Sequence, residues 1–298
     1  MLIQLDNNSP IASHHSRLHM FAKADKVVGA RQPSLVLQVG SDLDPGVVRK
    51  QSPNEDALFV TQGAMPSSAT SNSQKPFAFF MVADGMGGQG HGQEASQIAV
   101  RSLVEYVCGS LCSKQVASEA LLPLLIEGIK YANRLVHQRN KEQRTEMGTT
   151  MTAALVVDST VYIAHVGDSR LYLYRQVKGL SQITQDHSLV AALAAAGAIQ
   201  PEDIYTHPMR NLIYRFLGEK STVEVETSTI SLAAGDILLL CSDGLWEMVR
   251  DQQIAATLTT SMQDPSRKAH ALVQAALAGG GADNISVIVI QVSKQEHS

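Results

Sequence analysis

The hydrophobic pattern of the chain changes period several times, and each change marks an element. Leu35, Leu37 and Val39 alternate with polar neighbours as a half-buried strand does. Asp44-Pro45-Gly46 reads as a turn, and a second strand begins over 57–60. Residues 61–76 are small, polar and bounded by proline, which predicts a hairpin loop or linker excursion. The run FAFFMVA over 77–83 is apolar throughout and predicts a buried strand that runs straight into the Asp84-Gly85 turn.

Helical spacing follows. Ile98, Val100, Leu103, Val104 and Val107 predict an amphipathic helix within 92–108, with Glu94 in its first turn. Leu121, Leu124, Leu125, Ile129 and Leu135 predict another over 118–140 despite Pro123. From Gly148 onward the pattern is β-rich, with antiparallel runs over 148–158 and 161–175 joined at Asp158-Ser159-Thr160 and the second interrupted at Gly167-Asp168-Ser169. Residues 182–200 read as a loop entering an Ala-rich helix capped by Asp186 or Ser188, and 201–222 as an irregular surface excursion. Another apolar run, 237–241, stops at Ser242-Asp243-Gly244. Helices are predicted over 251–258 and 265–278, then a glycine break, and Asp283-Asn284 opens a final strand over 285–292. There is no heptad and no repeat of 20 to 50 residues.

Composition narrows the class. A chain of 298 residues, 44% hydrophobic and 17% charged, is long enough for one large domain or two small ones and reads as an ordinary soluble globular protein. The formal net charge of -4 gives no basic field for nucleic acid or an acidic membrane, so partners must be argued from a site. Cys108, Cys112 and Cys241 are odd in number and two lie in a predicted helix, which argues against a secreted disulfide framework and for a cytoplasmic location. Residues 1–10 lack a basic stretch followed by an apolar one, and no apolar run approaches the ~20 residues of a membrane span. Residues 1–38 have no sustained period; their His14, His15 and His19 are expected in a poorly ordered, solvated extension rather than a metal site.

Five aspartates share one context: Asp56, Asp84, Asp168, Asp243 and Asp283 each sit where a turn meets an apolar β-rich run. Acids at the ends of adjacent strands cluster, and clustered carboxylates repel one another unless cations neutralise them. Oxygen ligands without His or Cys favour Mg²⁺ or Mn²⁺. A twelve-residue calcium loop is absent and zinc lacks its usual ligands, so a binuclear site is the sharpest reading. Two such ions can activate a shared water and clamp an oxyanion, the chemistry of phosphate-ester hydrolysis. Arg49, upstream of Asn54-Glu55-Asp56, is the candidate phosphate holder, since a guanidinium can bind two phosphate oxygens.

These residues resemble the metal-dependent protein phosphatases of the PPM or PP2C type, in their short bacterial form. The resemblance covers about 39–292 and rests on Arg49 with Asn54-Glu55-Asp56, Asp84-Gly85-Met86-Gly87-Gly88, Gly148-Thr149-Thr150, Val166-Gly167-Asp168-Ser169-Arg170, Thr184-Gln185-Asp186-His187-Ser188, Ser242-Asp243-Gly244-Leu245 and Asp283-Asn284. It implies an α+β fold, a four-layer αββα sandwich of two antiparallel sheets, with the phosphatase domain over 39–293. It implies a signalling hydrolase that acts on phosphoserine and phosphothreonine in proteins by in-line attack of a metal-bridging hydroxide. Asp84 would bridge two Mg²⁺ or Mn²⁺ ions, with the Gly85 carbonyl completing one site, and Asp243 and Asp283 would hold the other. Glu55 and Asp56 would act mainly through metal-bound waters, and Asp168 with Asp243 would offer a weaker third site. Arg49 would orient the phosphate, and residues 188–218 would form a flap beside the site.

Two features depart from the family pattern. Arg49 lies further before Asp56 than the family's arginine more often does, so Ser52-Pro53 would bulge or Lys50 would contribute. Met86 follows Asp84-Gly85 where many eukaryotic members have a histidine, which leaves the leaving-group acid open among metal-bound water, His91, His165, His187 and His207, each histidine having a structural reading as well. The expected partners are phosphorylated proteins, with no nucleic acid, no membrane and a monomeric chain. The alternative is a non-catalytic pseudophosphatase, a phosphoprotein-binding or scaffolding module, disfavoured because all five aspartates are present.

Overall fold

The computed structural model describes residues 35–67, 74–113 and 115–295. Residues 1–34, which carry most of the expected N-terminal extension and its three histidines, lie outside the described residues. The strands are β1 (Leu35–Asp44), β2 (Asp56–Pro66), β3 (Gln74–Met86), β4 (Gly148–Thr149), β5 (Met151–Val157), β6 (Thr160–Val166), β7 (Arg170–Arg175), β8 (Gly179–Gln182), β9 (Glu226–Ser231), β10 (Ile237–Cys241) and β11 (Ile285–Lys294). The helices are α1 (His91–Ser113), α2 (Ser118–Gln143), α3 (Leu189–Ala195), α4 (Asp243–Trp246), α5 (Asp251–Leu258) and α6 (Pro265–Ala278).

The strands form two antiparallel sheets, ordered β1-β11-β10-β7-β8 and β2-β3-β5-β6-β9, with β4 paired to the end of β3. Three apolar clusters separate four layers. Phe80, Val82, Ile163 and Val161 of one sheet meet Leu171, Leu238, Leu240, Ile288 and Ile290 of the other. Phe79, Met81 and Ala83 face the opposite way, onto Leu103 and Val107 of α1 and Leu125 and Ile129 of α2. Tyr172, Leu239, Val287 and Val289 pack against α4, α5 and α6. Successive side chains of a strand point to opposite faces, so 77–83 is uniformly apolar because both faces of β3 are covered. The expected four-layer αββα sandwich is thus the observed fold.

Two expectations are corrected. Residues 61–66 and 74–76 are not loop; they extend the β2–β3 hairpin, with Gln62 opposite Ala78, Ala64 opposite Pro76 and Met65 buried. Their polar composition reflects an edge strand whose outer side meets water. Asp186 is not a cap: Ser188 caps α3 by accepting from the Ala191 N–H at 3.3 Å, and Asp186 is engaged elsewhere.

Candidate active site

Antiparallel pairing brings the acids to one end of the sandwich. Asp56 opens β2 directly opposite Asp84 near the end of β3. Asp168 follows β6, Asp243 follows β10, and Asp283 precedes β11, the antiparallel neighbour of β10. A cavity of about 510 Å³ lies at this end. Arg49, Glu55, Asp84, Gly85, Asp168, Asp243 and Asp283 line it, together with Arg210, Leu212, Ile213 and Glu247. Of the residues expected to hold the ions, Asp56 alone is absent from the lining; it is buried.

The loops are held by hydrogen bonds that leave little freedom at Asp84. Its N–H donates to Thr150 Oγ1 at 2.8 Å, and its carbonyl accepts from the Thr150 N–H at 2.8 Å and from Thr149 Oγ1 at 2.9 Å. This is the structural use of the Gly148-Thr149-Thr150 motif. At Gly85 a Cβ would stand 2.0 Å from the Gly92 carbonyl oxygen and 2.5 Å from that of Glu55, so only glycine lets β3 and α1 close around this carbonyl. Glu55 is tied on three sides: its N–H donates to Asn284 Oδ1 at 2.8 Å, Oε1 accepts from the Gly92 N–H at 3.2 Å, and Oε2 accepts from Arg49 Nη1 at 2.9 Å. Arg49 Nε pairs with Asp283 at 2.9 Å. Arg49 is thereby placed on the cavity wall, whereas Lys50 is exposed and does not line it.

The electrostatics are those of an uncompensated anionic cluster. Burial, followed by the charges of Asp56, Asp243, Asp168 and Asp283, holds the Asp84 carboxyl well above its ordinary range. Asp243 is raised in the same way by burial, Asp168 and Asp283. Burial pushes Asp168 up to about 7, with Asp186 adding to the rise and Arg170 opposing it. Asp56 is pushed up to about 6 by burial even though Ser242 and Ser286 both donate their hydroxyls to its Oδ2 at 2.7 Å. Burial also raises Asp283, Glu55 and Glu247, against the pull of Arg49 on the first two and Arg210 on the third.

Among the described residues three carboxylate oxygens, Asp56 Oδ1, Asp168 Oδ1 and Asp243 Oδ1, are buried without a hydrogen-bond partner. Buried polar atoms are rarely left so, and orphaned anionic oxygens within a cluster of carboxylates suit a hard divalent cation. Among the described residues no three His, Cys, Asp or Glu side chains converge on one point; Asp283 is drawn aside to Arg49. Ions held here would therefore take further ligands from water and from a carbonyl such as that of Gly85.

Three members of the site carry no signal of their own in the sequence, and a fourth, Asn284, shows only as part of the Asp283-Asn284 pair. Ser286, Glu247 and Arg210 reach it only through folding, and Asn284 bridges the Glu55 N–H and the Pro45 carbonyl at 2.8 and 2.9 Å. The four candidate histidines do not line the cavity. His165 is buried and stacked on His187, whose Nδ1 accepts from the Gly167 N–H at 3.0 Å, so both serve the loop that carries Asp168.

A four-layer αββα sandwich with an acidic cavity at its strand ends is the architecture of the PPM-type phosphatases. The Protein phosphatase 2C profile matches residues 45–279. The serine/threonine phosphatase stp of Listeria monocytogenes serotype 4b (strain F2365) is 38% identical over 250 residues, 83% of this chain and 93% of that protein. The crystal structure of the serine/threonine phosphatase Stp1 from Staphylococcus aureus superposes with a TM-score of 0.74 at 30% identity, covering 91% of this chain and 100% of the other. The catalytic domain of PstP in complex with two manganese ions superposes with a TM-score of 0.72 at 32% identity, covering 88% and 100%. The chain belongs to the protein phosphatase 2C family and is a phosphatase of that class.

Proposed function

We propose that this serine/threonine phosphatase hydrolyses phosphoserine and phosphothreonine esters in proteins with Mg²⁺ or Mn²⁺ at two positions in the cavity. The observation that carries the reading is the set of three buried, unpartnered carboxylate oxygens on Asp56, Asp168 and Asp243. Two manganese ions in the related PstP catalytic domain support it. Asp84, Asp243, Asp283 and the Gly85 carbonyl would hold the pair, Glu55 and Asp56 would act through water, and Asp168 with Asp243 would take a third ion more weakly. When bound, such ions supply an activated water and neutralise charge on phosphate oxygens.

The chain's own residues then position the substrate. Arg49, fixed by Glu55 and Asp283, presents its guanidinium to the cavity where phosphate oxygens would lie. Thr149 and Thr150 keep the Asp84 backbone from shifting, which preserves the alignment that in-line displacement requires. Residues 188–218 form the flap of a phosphatase domain spanning 39–293; Arg210 reaches Glu247 at 3.7 Å, and the Leu217 N–H donates to the Thr149 carbonyl at 2.8 Å. We place the protein in the cytoplasm as a monomer, with phosphoproteins rather than nucleic acid or membrane as partners; Cys108, Cys112 and Cys241 are all unpaired. No observation favours a non-catalytic scaffold. Hydrolysis of a small aryl phosphate and of a phosphothreonine peptide, with Mn²⁺ and with chelator, tests the proposal: activity that survives chelation would sink it.

A further inference from the structure

Large apolar side chains left in water are informative when they gather at one place. Among the described residues eight are exposed: Val36, Leu43, Val47, Val48, Val177, Met209, Leu212 and Tyr214. The five from Val47, Val48, Met209, Leu212 and Tyr214 fall on only two segments, and both segments reach the cavity. Val47 and Val48 immediately precede Arg49, a lining residue, and their N–H groups both donate to the Gly281 carbonyl, next to the lining residues Ala282 and Asp283. Val48 is 73% exposed. Met209 precedes Arg210, Leu212 lines the cavity while remaining 53% exposed, and Tyr214 is fastened by its N–H to the His187 carbonyl at 2.9 Å.

Backbone hydrogen bonds hold each segment, so the exposure is built in rather than incidental to a loose loop. The cations at the cavity are already committed: Arg49 to Glu55 and Asp283, and Arg210 to Glu247. The lining therefore offers no spare cation for a further negative charge on the substrate beyond the one phosphoryl group that Arg49 and the ions would hold. What the two segments that reach the cavity offer in addition is exposed apolar surface.

Resting on the phosphatase reading above, we infer that the cavity mouth is a docking surface for an extended phosphorylated segment whose residues on either side of the phosphoserine or phosphothreonine are aliphatic or aromatic. Val47 and Val48 form one lip and Met209, Leu212 and Tyr214 the other. Acidic flanking residues are selected against, because an apolar lip would strip water from their charge without pairing it.

The test uses three phosphothreonine peptides that differ only in the flanking residues: leucine and valine, serine, or glutamate. The wild-type protein with Mn²⁺ should show kcat/KM about tenfold higher for the apolar peptide than for the serine peptide, and the glutamate peptide should be the poorest. Val48→Ser combined with Met209→Ser should bring the apolar-to-serine ratio close to one, with each variant's ratio taken within the same enzyme. Absence of discrimination in the wild type, or its persistence in the double variant, would overturn the surface. Fluorescence anisotropy of the same peptides bound to chelated protein separates this inference from the catalytic one. Discrimination in binding by the chelated protein, with no hydrolysis of any peptide once Mn²⁺ is restored, would keep the surface and sink the catalytic reading, whereas equal binding of all three peptides would sink the surface. Concentration-dependent self-association abolished by Val48→Ser, with no peptide discrimination, would assign the patch to a second copy of the chain and likewise overturn the inference.

Discussion

Two buried charge clusters lie back to back on a single turn, and the chain treats them in opposite ways. Asp168 contributes to the cavity, where its Oδ1 has no partner. Two residues on, Arg170 is buried on the far side with each of its guanidinium nitrogens engaged. Its Nε and Nη2 donate to Asp186 at 2.7 to 3.1 Å, Nη1 donates to Tyr172 Oη at 2.7 Å, and the group lies 3.7 Å from the Trp246 ring. Trp246 joins the two clusters, because its Nε1–H donates to the Asp168 carbonyl at 3.0 Å. One cluster is neutralised within the chain and acts as a fixed foundation. The other keeps its desolvation cost uncompensated, and that unmet cost is the reason we propose it as the ion site.

Changes on the cavity side have the largest effect. Asp84→Asn removes the carboxylate that stands nearest the centre of the repulsion. We expect phosphatase activity to fall at least about 10⁴-fold, equivalent to ~5.5 kcal/mol of barrier. We also expect the metal-free variant to melt higher than the metal-free wild type, since a raised carboxyl is a destabilised one at neutral pH. Activity assays and melting curves on chelated protein check both. A variant that loses activity and also melts lower would show that Asp84 serves the fold instead.

Arg170→Met attacks the other cluster. Breaking a buried pair from one side leaves Asp186 uncompensated and costs about 3–5 kcal/mol, so the variant should melt many degrees lower. Arg170→Met with Asp186→Leu should recover most of that loss, because both charges are gone. Chemical denaturation of the single and double variants measures the difference. Equal destabilisation of the two would mean that the pair matters for its shape and not its charge.

The two clusters also differed in how far the sequence disclosed them. The five aspartates were legible because each stands in a local signal, a β-rich run stopping at a turn, and β3 was legible because burial on both faces abolishes alternation. The four-layer fold followed from the same runs. Contacts that join distant segments were not legible: Ser286 meets Asp56, and Asn284 meets the Glu55 N–H, only after β11 has been laid beside β10. β9 escaped because ETSTIS is a half-buried edge strand paired on one side to β6, with no apolar run to announce it. Asp186 showed its position in a motif but not its role, since its partner Arg170 is reached across a buried space rather than along the chain.

Acidity sharpens the contrast at a smaller scale. In the metal-free protein Asp56 and Asp168 sit at about 6 and about 7, above the ordinary value of 3.8. A folded-state value above the unfolded one gives stability that is complete below about pH 3.8 and lost as pH rises through 6 and 7. For Asp56 alone a rise from 3.8 to about 6 is worth on the order of 3 kcal/mol. His165 works the other way: burial pushes it down to about 4, so its contribution is lost as pH falls from 6.5 toward that value. Melting with and without Mn²⁺ at each pH cancels His165, which is common to both states. The Mn²⁺-induced rise in Tm should grow between about pH 4 and pH 7. A rise independent of pH would mean that the ions bind outside the carboxylate cluster.

The mildest intervention is Ser286→Ala, which touches the boundary between support and site. Ser286 Oγ donates to Asp56 Oδ2 at 2.7 Å from within β11, and Ser242 Oγ donates to the same oxygen. Removing one of two donors to a buried carboxylate should cost about 1–3 kcal/mol while that carboxylate is charged, and Asp56 should titrate higher still. Groups that orient metal-facing carboxylates commonly alter metal affinity by 10- to 100-fold. Because Ser242 still holds Asp56, we expect the lower end, about a tenfold weaker apparent Mn²⁺ affinity with little change in the rate at saturating Mn²⁺. Titration of activity and of Tm against Mn²⁺ reads this directly. A lower rate at saturation with unchanged affinity would move Asp56 out of ion binding and into the chemical step, and the cavity would then extend one layer deeper than its lining residues define.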